Sequence, residues 1–125
     1  MNLTYSSALE SFLKGEISWT GDSIKAVLVD THRYSVDQGG HSTLDHVPES
    51  AIVATSPALF SKTASDGVAS AGDTTFSSVT GSSVGAVIVY VDSGTASTSK
   101  LIAYFDHVTG FPLAPNGTDV VLRWG

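Results

Sequence analysis

Two apolar runs at 84–91 and 101–105, joined by a small polar connection at 92–100, constrain this chain more than any other feature. The first reads Val84-Gly-Ala-Val-Ile-Val-Tyr-Val91 and the second Leu101-Ile-Ala-Tyr-Phe105. Val, Ile, Tyr and Phe suit a pleated surface, and two such runs around a glycine-containing connection predict a β-hairpin with a longer loop. Side chains alternate between the two faces of a strand. Ala86, Ile88 and Tyr90 therefore oppose Val87, Val89 and Val91, while Leu101, Ala103 and Phe105 oppose Ile102 and Tyr104. Neither strand has a wet face, so both are expected inside a sheet covered on both sides. The segment 23–30 has the same character, with Ile24, Ala26 and Leu28 facing one way and Lys25, Val27 and Val29 the other.

The remaining segments are read around that sheet. Tyr5, Ala8, Leu9, Phe12 and Leu13 recur at helical spacing and predict a short amphipathic helix over 3–14. Asn2, Thr4 or Ser7 would cap its start, and Gly15 would end it. Its stripe is expected to cover the chain's own sheet; docking on a partner is the competing role. Trp19 is expected at the edge of the core. Residues 31–50 lack periodicity and are broken by Gln38-Gly-Gly40 and Val47-Pro48. A long irregular stretch inside a small domain usually has a function, and this one is expected to be a contact arm ordered mainly by neighbours. Residues 51–54 and 57–60 are short apolar pieces split by Ser56-Pro57, expected as edge strands or as one strand with a break. Asp66-Gly67 marks a turn, 74–79 is a strand anchored by Phe76, and 118–124 is a final, half-exposed strand.

These elements predict an all-β fold, an antiparallel β-sandwich (jelly-roll-like) with one short N-terminal α-helix, in a single domain spanning 1–125. One helix cannot cover the outer faces of two sheets. Part of the apolar strand surface is therefore expected between subunits, making the chain a homo-oligomer.

The composition narrows the function. There is no cysteine, so disulfides, thiol nucleophiles and thiolate metal sites are excluded. The formal charge is −6, from 12 acidic and 6 basic side chains, which argues against a nucleic-acid partner and against an anionic membrane surface. No apolar run approaches the roughly 20 residues of a membrane span, and the N-terminus shows no secretory pattern. Three of the four histidines, His32, His41 and His46, fall among Asp30, Asp37, Asp45 and Glu49. No pair has helical ligand spacing, so no metal site is expected. A Ser/His/Asp set drawn from His32, His41, His46 or His107 has no sequence support. There is no nucleophile elbow and no phosphate-cradling loop; Gly81-Ser-Ser-Val-Gly85 leads into a strand without the Lys-Ser/Thr such a loop needs. The acidic residues lie mostly at turns, where Asp is an ordinary turn former. The expectation is a non-enzyme with no catalytic residues, cofactor or metal. The sequons at Asn2 and Asn116 are chance matches.

Several stretches taken together carry a resemblance. They are the helix ending near Gly15, Trp19 with the strand Ile24-Lys-Ala-Val-Leu-Val-Asp30, the Leu44-Asp-His-Val-Pro48 segment, the 92–106 hairpin arm, and the ending Gly110-Phe-Pro-Leu-Ala-Pro-Asn-Gly-Thr-Asp-Val-Val-Leu-Arg-Trp124. In this pattern the chain resembles small structural proteins of tailed-bacteriophage virions. The resemblance implies no enzyme activity, cofactor or metal. It implies a capsid decoration, or minor capsid, protein on the virion surface, binding the major capsid protein and stabilising the head, often as a trimer. A tail or neck component is the alternative within virions. A carbohydrate- or receptor-binding module, using loop aromatics such as Tyr34 and Phe111, is the alternative outside them.

Overall fold

The computed structural model describes residues 2–66, 68–106, 108 and 110–123. Gly67 of the expected turn, His107 and Trp124 lie outside the described residues. The fold is built on one antiparallel five-stranded sheet. Its strands are β1 (Asn2–Thr4), β2 (Ile24–Val29), β3 (Ile52–Thr55), β7 (Ala86–Val91) and β8 (Leu101–Phe105), in the order β1-β8-β7-β2-β3. Two ribbons accompany it, β4 (Thr63–Ser65) with β5 (Val68–Ser70), and β6 (Thr74–Phe76) with β9 (Val120–Leu122). The α-helix α1 spans Ser6–Leu13. The fold is all-β with one short helix, as the strand patterns require.

The hairpin β7–β8 is central, as expected. Its register pairs Ile88 with Tyr104 and Val89 with Ala103, and shifts by a bulge between Val89 and Tyr90. Every residue of β7 except Val91 is buried, as is every residue of β2 except Lys25. The register assigns the two faces. Ile88, Tyr104, Val27 and Leu3 share one; Val87, Leu28 and Phe105 share the other. The first face is covered by Tyr5, α1 and the irregular segment, whose Tyr34 ring tilts against that of Tyr104. The second is covered by the β6–β9 ribbon and the 110–113 strand-like segment, which line a cleft over Leu28.

Three expectations are corrected here. First, the helix expected over 3–14 begins only at Ser6. Asn2–Thr4 pairs with β8 instead, so its backbone groups are already committed when the chain turns at Tyr5. Tyr5 is the N-cap and provides no side-chain cap, so neither Thr4 nor Ser7 holds the expected position; the Asn2 side chain lies outside what the structure describes. The C-terminal expectation holds. Gly15 has φ 73°, and the N–H groups of Gly15 and Glu16 donate to the carbonyls of Phe12 and Ser11, which is a Schellman ending.

Second, the residues 31–50 are not an arm waiting for neighbours. Tyr34 and Val47 are buried. The Ser6 N–H donates to the Gln38 carbonyl and the Gln38 side chain donates to the Thr4 carbonyl. Leu44 N–H donates to Ser99, Asp45 N–H to Ala96, and Leu101 N–H to Ser42. These bonds close the β1 edge and tie the segment to the base of β8.

Third, the two-sided strands find cover on both faces within one chain, so the expected subunit contacts would have to use other surface. The irregular segment supplies a layer that helical periodicity could not reveal, so β7 is buried within one chain. The apolar surface left over lies elsewhere. Replacing fully buried Leu101 with Ala should cost about 2–5 kcal/mol. Leu13→Ala, at a position 90% exposed, should change stability by no more than about 0.5 kcal/mol. Urea unfolding of the two variants tests this contrast.

Candidate interaction surface

Helix α1 sits on the sheet rotated by about a quarter turn from the orientation its periodicity suggests, so Tyr5 and Ala8 of the expected stripe are buried while Leu9, Phe12 and Leu13 are not. Its buried residues are Ala8 and Ser11. Leu9 is 52%, Phe12 36% and Leu13 90% exposed. The small side chains let the helix lie close to β8, and the bulky apolar ones form an outward stripe. Lys14 and Glu10 flank it as an i, i+4 ion pair at 2.9 Å. Each holds the other in its charged form, lowering the Glu10 carboxyl and raising the Lys14 amine. Both are exposed, so the pair contributes little stability, but it leaves the rim of the stripe without net charge. Lys100, from the foot of β8, reaches Ser11 and Glu16 at 3.4 Å each and pins the helix to the sheet.

A second exposed element is the β4–β5 ribbon. No residue of its strands is buried. Its root is held where Trp19 Nε1 donates to the Ser70 carbonyl and where the Phe60 ring lies over Gly72. A Cβ at Gly72 would come within 2.6 Å of that ring, so a larger residue there would push the exposed Phe60 ring aside. Phe60 and Val68 are themselves exposed. A two-stranded ribbon without a packed face is marginal by itself.

The sequence-noted polar residues fall into separate places. Tyr34 is at the centre of a hydrogen-bonded row, with its hydroxyl 2.7 Å from that of Tyr5 and 2.9 Å from His41 Nδ1. His41 in turn stacks on His46, with ring centroids 5.4 Å apart. His32 is distant from this group in its contacts; it bonds Asp30 at 3.2 Å. Asp30 caps the end of β2, and the His32 N–H above all holds its carboxyl below the ordinary range. Asp92 is lowered by its bond to Lys25 and by the Gly94 N–H. Among the described residues, no three His, Asp or Glu side chains converge as metal ligands do. The cleft over Leu28, lined also by Phe111, Leu113, Val120 and Leu122, is apolar and holds only about 120 Å³. A small-molecule site commonly needs about 300 Å³ or more. Tyr34 is buried and offers no ring face to a sugar. The exposed helix stripe was missed because periodicity reports that a stripe exists, not which way it faces.

No protein-family model matches this chain, and no curated protein matches it. The surface therefore has to be interpreted from its own chemistry. It offers apolar contact area on a helix held against the sheet, and among the described residues no His, Asp or Glu cluster converges beside it.

The tyrosines make stability depend on alkaline pH. Burial, reinforced by the Tyr34 hydroxyl, pushes Tyr5 far up, and burial also raises Tyr34. Tyr104 is pushed up to about 12 by burial and by Asp106. Unfolded tyrosine ionises near about 10. The folded state thus binds these protons more tightly, and its advantage is complete below that value and lost as the pH rises towards about 12. Urea midpoints should hold up to about pH 9 and fall from about pH 10 upward. Tyr104→Phe should flatten that fall; an unchanged slope would refute the assignment.

Proposed function

We propose that this chain is a structural subunit of a tailed-phage virion, a decoration protein that attaches to the major capsid protein on the head surface. The observation that carries the reading is the outward stripe of Leu9, Phe12 and Leu13 on a helix pinned to its own sheet. Burial of such a stripe favours association roughly in proportion to apolar area. Three side chains are far short of the roughly 1,600 Å² of a standard stable interface. A contact of that size suits a lattice, where symmetry repeats it many times and each copy adds a small increment. The resemblance of the whole chain to phage virion proteins supplies the partner class, and the exposed β4–β5 ribbon provides a second contact. The low density of charged side chains, 14% of the residues, accords with a surface partly covered by other subunits. A trimer at local symmetry axes is the arrangement that fits a head lattice.

The test is co-sedimentation with purified expanded capsids. Binding should saturate at a stoichiometry set by lattice symmetry and should raise the temperature at which the capsids open. The rim of the stripe is neutral, so affinity should fall only weakly between about 50 and 500 mM salt. Leu13→Asp should weaken binding by about tenfold or more while leaving the unfolding midpoint of the free protein in place. Copies found only in tails would move the protein to the tail or neck, and no binding to any virion part would remove the reading.

A further inference from the structure

The turn Leu44–His46 is a single 3-10 turn whose N-terminus is closed by a capping box. Thr43 is the N-cap. The residue that returns a bond to it, at the third helical position, is His46. Glu or Gln normally holds this position, because its oxygen accepts the N-cap N–H at neutral pH. Here the acceptor is an imidazole nitrogen. His46 Nδ1 receives the N–H groups of Ser42 at 3.1 Å and of Thr43 at 3.3 Å. Two backbone donors aimed at one ring nitrogen require it to be unprotonated, with the ring proton on Nε2. A proton on Nδ1 would face two N–H groups and would destroy both bonds.

The neighbouring histidine is set the same way. Tyr5 is fully buried, and its hydroxyl proton has the Tyr34 oxygen to go to. Only with Tyr34 donating to His41 Nδ1, 2.9 Å away, does each proton in the row have an acceptor. Protonated His41 Nδ1 would force the row to reverse and leave the Tyr5 proton buried without one. The two rings are also stacked, so two cations would repel. The bonds at stake are those that order this stretch: the Ser42 carbonyl accepts from Leu101, and Thr43 bridges to Lys100 at the start of β8.

We infer that the His46 capping box, backed by His41, is a proton-operated latch that holds the 41–47 stretch against β8 at neutral pH and releases it on mild acidification. Histidine is the side chain whose charge changes in that range. The charged and titratable groups around it come from three elements. Within the segment they are Asp37, whose carboxylate takes the Gly40 N–H, and Asp45, bonded to the Thr43 hydroxyl. From β8 and its end come Tyr104, Asp106 and Lys100, the last turned towards Glu16. From the N-terminal side comes Tyr5. Release would free the Leu44 and Asp45 amides from Ser99 and Ala96 and uncover the Tyr34 row.

The latch is tested on the free protein by amide hydrogen exchange at about pH 7.5 and about pH 5.5, corrected for intrinsic rates. The opening constant at Ser42, Thr43 and Leu44 should rise roughly five- to tenfold at the lower pH, the scale of losing one helix cap. Amides of β2 and β7 should not change. His46→Gln keeps an acceptor at both pH values and should abolish the difference. Nitrogen chemical shifts of the wild-type histidines provide a measurement independent of any variant. At neutral pH His46 should carry its proton on Nε2. A proton on Nδ1, equal protection at the two pH values, or the same pH response in His46→Gln would overturn the inference.

Discussion

The burial of β7 on both faces is the constraint on which the rest of the structure depends. Ala86, Val87, Ile88 and Val89 have essentially no exposure, and both β-strand neighbours carry similar residues. A sheet of this kind is stable only if each face receives a cover. The chain meets that demand with unlike materials. One face takes the β6–β9 ribbon and the loop carrying Phe111 and Leu113. The other takes Tyr5, a helix of eight residues and an irregular segment.

The economy of that second cover explains the surface. A short helix resting on Ala8 and Ser11 comes close to the sheet but shields little of it. Tyr34 and Val47 fill the remainder from the irregular segment; bonds with Ser6, Ala96, Ser99 and Leu101 satisfy backbone groups of that segment, and the Gln38 side chain donates to the Thr4 carbonyl. Because the loop completes the core, the leucines and phenylalanine of α1 are not needed there. They stand outward, beside a self-neutralised ion pair. The same loop carries Tyr34 and His41, which extend the hydrogen-bonded row from Tyr5, so the element that closes the core also carries the histidine-dependent bonds.

Several elements were legible in the residues, for reasons that can be named. The strands around Val27, Ile88 and Ala103 announce themselves because alternation with apolar residues on both faces has few other solutions. Gly15 marks the helix end because its left-handed φ disfavours any residue with a Cβ. The layer formed by residues 31–50 was not legible. Its buried anchors, Tyr34 and Val47, show no strand or helix period, and its bonds run to partners as far away as Ser99 and Leu101. The pairing of Asn2–Thr4 with β8 was equally hidden, since Asn, Leu and Thr at a terminus favour neither state strongly.

The sequence by itself determined that this chain forms a two-sided antiparallel sheet with one short helix, without thiol chemistry and without a motif for catalysis. These follow from local pattern and composition. Only the tertiary structure decided which face of α1 meets that sheet. Helical periodicity sets the angles among Tyr5, Ala8, Leu9, Ser11, Phe12 and Leu13 but leaves the rotation of the helix free. That rotation is set by long-range contacts: β1 paired with β8, Tyr5 hydrogen-bonded to Tyr34, and Lys100 reaching Ser11. Together they turn the small residues inward and the large apolar ones to the surface.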